Sequence, residues 1–104
     1  MIHSLKIKSK YFEKVVLGEK NFEVRKNDRD FRVGDLLILN EYENEKYTGR
    51  YCLVIATYII SSSELKGIIK SDSGNEAVIM GIKPCKITTD SRIKPLGFQI
   101  IFGA

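Results

Sequence analysis

The sequence predicts an α+β fold: a small barrel of five or six mostly antiparallel strands, one N-terminal helix and room for a second short helix. Three observations predict it. One segment near the N-terminus, SKYFEKVVLGEK, carries helical periodicity. Beyond it, short runs rich in β-branched and aromatic residues alternate with turn formers. At 104 residues with 43% hydrophobic content, five tyrosines and five phenylalanines, the chain can fill a single core. Short strands must have their edges closed or covered, and a barrel does that. One domain over residues 1–104 is the expected organisation.

The elements follow in order. HSLKI alternates apolar and polar residues and reads as a strand over 3–7. A helix over 10–17 follows, with Ser9 as N-cap and Phe12, Val15 and Val16 on one face. Gly18 suits the left-handed residue that ends such a helix. In FEVRK, a strand pattern directs Phe22 and Val24 inward and leaves Glu23 and Arg25 together on the outer face. NDRD is a turn, and Gly34 and Asp35 serve a second turn and strand start. LLILNEYE reads as a strand buried on both faces, NEKYTG as a turn, and RYCLVIATYII as a long strand over 50–60. SSSELKGIIKSDSGN is loop or short helix, AVIMGI a strand, and FQIIF an apolar terminal strand. The aromatics Tyr11, Phe12, Phe22 and Phe31 are expected in the core, and His3 is expected in solvent.

Bulk properties narrow the function. A net charge of +4 and a pI near 9.1 imply mild attraction to polyanions. No apolar run reaches the ~20 residues of a membrane span, and no apolar signal core follows the basic N-terminus, so a cytoplasmic protein is expected. Cys52 and Cys85 lack metal or redox spacing and are expected as free thiols. With His3 as the lone histidine, neither a metal nor a cofactor is expected.

The stretch EKNFEVRKNDRDF, residues 19–31, concentrates eight formal charges of both signs. Exposed ion pairs there would add only about 0–1 kcal/mol each. A second use is a polar cleft. Arg25 offers a planar fork for phosphate or a base edge, and Glu23 can accept from an exocyclic amine. Asn27 both donates and accepts. Tyr42, Tyr47 and Tyr51 offer stacking faces.

The motif around these charges resembles the ASCH (activating signal cointegrator homology) domains of the PUA-like superfamily, and most nearly a small bacterial and phage family without a settled function. The resemblance rests on His3, Leu5 and Lys6, the Tyr11–Phe12 helix, and Gly18-x-Lys20-x-Phe22-Glu23-x-Arg25-x-Asn27-Asp28-Arg29. It continues through Val33-Gly34-Asp35, Glu41-Tyr42 and Tyr47-Thr48-Gly49-Arg50, and covers about residues 3–82. It implies a PUA-like barrel with an RNA- or nucleotide-binding cleft, lined by Lys6, Lys20, Glu23, Arg25, Asn27, Arg29, Tyr42, Tyr47 and Arg50.

Some ASCH proteins are hydrolases of acetylated cytidine or of RNA, which makes a hydrolase with Lys20 and Glu23 as acid–base pair the alternative. The amidohydrolase motif resembles Gly-x-Lys-x-x-Thr-x-Arg, and Glu23 stands at its threonine nucleophile, so binding is favoured over catalysis. A protein-interaction module is a third reading. Residues 83–104, at +3, lie beyond the resemblance; an added intramolecular strand is expected there, with weak self-association as the alternative.

Overall fold

A computed structural model describes residues 1–65, 76–85 and 100–102. Its elements are β1 (Ile2–Ile7), α1 (Ser9–Val16), β2 (Phe22–Lys26), β3 (Leu36–Glu43), β4 (Lys46–Ser61), a 3-10 turn at Ser62–Leu65, β5 (Ala77–Pro84) and β6 (Ile100–Phe102). One sheet runs in the order β1-β3-β4-β5-β2, with β6 paired to β4 at Arg50–Cys52. Among the described residues, only β1 and β3 run parallel; the other ladders are antiparallel. The result, among the described residues, is a sheet curled into a half-barrel with one α-helix. Of the expected C-terminal extension, β6 pairs within the chain; residues 86–99 and the charges Lys86, Asp90, Arg92 and Lys94 lie outside the described residues. The same holds for residues 66–75 of the polar loop.

Curvature is concentrated in β4. Its ladder with β3 slips by two residues between Asn40 and Tyr42 and its ladder with β5 by one between Ala56 and Tyr58, and such bulges bend a strand and raise its twist. The core fills the concave side: Leu5 and Ile7 from β1, Phe12 and Val15 from α1, Leu37 and Leu39 from β3, Cys52, Val54 and Ala56 from β4, Val78, Met80 and Ile82 from β5. Cys52 and Cys85 are free, and burial pushes the Cys52 thiol up to about 12.

Several local expectations change. Lys8, not Ser9, caps α1, and the Ser9 amide donates to the Glu43 carboxylate at the end of β3 (3.1 Å), so the helix borrows its N-terminal anion from the sheet. Leu36, Ile38 and Asn40 are half-buried while Leu37, Leu39 and Glu41 are buried, so β3 has one core face rather than two. The NEKYTG turn shrinks to Asn44–Glu45, both left-handed (φ 52° and 63°), and β4 already begins at Lys46. Two successive positive φ values match the twist of a two-residue hairpin. Gly18 (φ 75°) ends α1 as expected: its amide reaches the Val15 carbonyl and the Glu19 amide the Lys14 carbonyl.

Two buried carboxylates were not foreseen as core residues. Asp35, in the turn closed by left-handed Gly34 (φ 95°), accepts from the Arg32 amide (2.9 Å) and the Met1 nitrogen (3.0 Å), and hydrogen-bonds His3 Nε2 (2.8 Å). His3 is buried against the Phe31 ring instead of solvated. Glu41 is 2% exposed and accepts from Arg50 Nε (2.7 Å) and Nη2 (2.6 Å) and from the Thr48 hydroxyl. Arg50 also reaches Glu13 on α1 (2.8 Å) and lies over the Phe12 ring, which ties helix to sheet.

The hydrogen bonds from His3 and Arg32 hold Asp35 at about 2, and those from Arg50 and Thr48 hold Glu41 at about 2. A carboxylate lowered in the folded state stabilises fully above its unfolded value near 4, and that stabilisation fades as pH falls toward 2. Urea midpoints should therefore be flat above pH 5 and drop between about pH 4 and 2, and the drop should be shallower in Glu41→Gln. At neutral pH, Arg50→Ala should cost about 3 kcal/mol in urea unfolding because it strands a buried carboxylate, and Glu41→Met/Arg50→Met should cost less.

Candidate functional site

The Schellman end of α1 turns the chain sharply, so Lys20 enters β2 beside the end of β1. There β1 and β2 are the two ends of the sheet order, and among the described residues no backbone ladder joins them. Side chains bridge them instead. Arg25 Nη2 donates to the Lys6 carbonyl (2.5 Å), and Arg29 Nη1 to the Ser4 carbonyl (3.1 Å). Both carbonyls lie on the free edge of β1, so the guanidinium forks satisfy acceptors that a neighbouring strand would otherwise take.

The burial pattern of β2 is the reverse of the expected one. Glu23 is 3% exposed, while Phe22 and Val24 are 45% and 52% exposed. Glu23 and Arg25 do share a face, but it is the inner one. The reason lies in pairing: Glu23 Oε1 accepts from Lys20 Nζ (2.7 Å), and Oε2 from Arg25 Nε (3.1 Å) and Nη2 (2.7 Å). A carboxylate with two cations can be buried where an unpaired one cannot.

This triad forms one wall of an open cavity of about 700 Å³ at the unladdered border. Lys6, Ile7 and Lys8 bring the β1–α1 joint to it, Tyr11 and Lys14 an outer face of α1, and Phe22 and Val24 the outer side of β2. Its rim carries the cations Lys6, Lys8, Lys14, Lys20 and Arg25 against the carboxylates Glu19 and Glu23. Lys14 is answered by Glu19 (2.7 Å); Lys6 and Lys8 have no carboxylate partner among the described residues. Tyr11 and Phe22, both expected in the core, are about half exposed here, and Lys20 Nζ stands 5.7 Å and 5.0 Å from their ring centres.

Of the residues singled out from the sequence, Lys6, Lys20, Glu23 and Arg25 converge on this cavity. Tyr42 and Tyr47 do not line it; they pack edge to face (5.0 Å) on the neighbouring surface, joined to it by Lys6, whose Nζ lies 4.4 Å from the Tyr42 ring. Arg29 serves the edge of β1, Asn27 donates to Glu76 (3.0 Å), and Arg50 belongs to the buried network with Glu41. Lys8 and Tyr11 were missed. Tyr11 precedes buried Phe12 by one residue, about 100° around the helix, so the same periodicity that buries Phe12 exposes Tyr11.

A family profile described as Domain of unknown function (DUF3850) matches residues 2–82. The chain belongs to this family. Among individual proteins, an uncharacterized 12.9 kDa protein from the GpA 3′ region of Escherichia phage P2 is 47% identical over 49 residues, spanning 47% of this chain and 45% of that protein. The hypothetical protein PH0355 is similar in fold, with a TM-score of 0.54 at 19% identity over 79% of this chain and 97% of that one. So is the S128A mutant of ZmASCH from Zymomonas mobilis, with a TM-score of 0.56 at 10% identity over 77% of this chain and 66% of that one. This DUF3850 domain is thus ASCH-like in fold. Among the described residues, no helix is long and apolar enough to cross a membrane and no cluster of His, Cys, Asp and Glu could hold a metal ion.

If arginine forks hold the border, Arg25→Ala/Arg29→Ala should speed native-state amide exchange in residues 2–7 by about tenfold or more, with the β3–β4 amides little changed. Unchanged exchange in β1 would show that the guanidinium bonds hold nothing.

Proposed function

We propose that this domain binds single-stranded RNA or a nucleotide in the cavity between β1, α1 and β2. One observation carries the reading: Lys20 and Arg25 are fixed on the buried Glu23 carboxylate, with Lys20 beside two half-exposed aromatic rings. Cations held this way lose little side-chain entropy on meeting a phosphate. Arg25 Nη1 has no partner among the described residues and is free to donate to a phosphate or a base edge. Lys6 and Lys8 add positive charge that no carboxylate answers among the described residues. Tyr11 and Phe22 offer ring faces, and stacking on such faces contributes about 1–3 kcal/mol per base.

The same geometry weighs against Glu23 as a general base. Both of its oxygens already accept hydrogen bonds from Lys20 and Arg25, so neither is left open toward a substrate proton. Its work in this reading is to hold Lys20 and Arg25.

Fluorescence anisotropy with a labelled single-stranded RNA tests the proposal. Micromolar binding is expected at low salt, with log affinity falling against log salt by about 0.7 per phosphate neutralised. Lys20→Ala and Arg25→Ala should weaken it, and Tyr11→Ala should cost about 1–3 kcal/mol, with circular dichroism unchanged in each. No binding at low salt, or binding indifferent to salt and to these substitutions, would overturn it.

A further inference from the structure

A second cavity, of about 330 Å³, lies on the other side of Lys20. Lys20 lines both hollows and so marks the ridge between them. The second is walled by Asn21, Thr57, Gly81 and Lys83 over an apolar floor that includes Val15 and Val54. Its charged lining is Lys20 and Lys83, with no carboxylate.

The bulge in β4 builds this hollow. It releases Thr57 from the ladder between Ala56 and Tyr58 and turns its hydroxyl toward Gly81, where a Cβ would meet Oγ1 at 3.0 Å. Glycine at 81 therefore keeps that space open. The Thr57 hydroxyl and the Asn21 amide have no side-chain hydrogen-bond partner among the described residues, and Lys83 is exposed. A donor pair, a cation and apolar surface together suit a sugar–phosphate with its base.

We propose that the ligand is a polynucleotide strand rather than a single nucleotide, lying across both hollows with a phosphodiester over the Lys20 ridge. This rests on the reading of the first cavity given above. A strand fits the pair better than a mononucleotide does because one lysine serves two basins. An occupant of both would meet Arg25 and Lys20 in the first hollow and Lys20 and Lys83 in the second. The second basin then contributes affinity only to ligands long enough to cross the ridge.

The test compares uridine monophosphate with an eight-residue oligouridylate, by competition against the labelled octamer at several salt concentrations. The octamer should bind at least about tenfold tighter, with a salt slope steeper by at least about 0.7. Lys83→Ala should lower octamer affinity severalfold more than it lowers that of the monophosphate, and thermal unfolding checks that the variant is folded. Equal affinities for the two ligands, or equal effects of Lys83→Ala on both, would overturn the two-basin strand while leaving the first cavity a nucleotide site. If neither ligand binds, both readings fall.

Discussion

The border between β1 and β2 is the constraint on which the rest of the molecule depends. A five-strand path curls far enough to bring its two ends together, but no backbone ladder joins them among the described residues. A gap in a barrel wall exposes polar backbone that must be satisfied by something else. Here that something is a pair of arginines on β2 and the loop after it, reaching the Ser4 and Lys6 carbonyls. Because side chains bridge the gap, it remains wide enough to hold a cavity beside them.

The mixed charges of residues 19–31 follow from this arrangement. Arg25 must sit at the border with its fork toward β1, and a guanidinium brought half inside needs an anion. Glu23, two residues away on the same face, supplies it, and Lys20 occupies the oxygen that Arg25 leaves. Asp30 pairs with Arg32 out in solvent (2.9 Å), where such a pair contributes little. Opposite charges within one short segment thus divide between closing the wall, fixing cations at a cavity, and ordinary surface pairing.

Much of the architecture was legible in the sequence. The helix and its glycine stop and most of each strand within the described residues could be read from periodicity, except for the start of β4 at Lys46, which was read as turn; the family segment was legible through its resemblance to known domains. What could not be read was which way each strand faces. Period-two alternation says that Glu23 and Arg25 share a side, but choosing the side needs knowledge of partners, and Lys20 reverses the choice that hydrophobicity alone would make. His3, Asp35 and Glu41 escaped for a related reason. His3 and Asp35 are buried by a pairing across 32 residues, and Glu41 by Thr48 and Arg50 across a hairpin, seven and nine residues on; neither spacing belongs to a strand's own period-two pattern. Tyr42 and Tyr47 were placed in the cleft because aromatics beside charges suggest stacking, whereas the rings that line it, Tyr11 and Phe22, looked like core.

The arginine forks on β1 also bear on how this molecule meets its own copies. An unladdered strand edge is a template for addition of another chain, which begins by hydrogen-bonding the same outward carbonyls. On β1 those acceptors at Ser4 and Lys6 are already occupied from within, by bulky cations that repel a second basic chain. The contacts that close the wall therefore also blunt the edge against intermolecular strand addition and the aggregation it seeds.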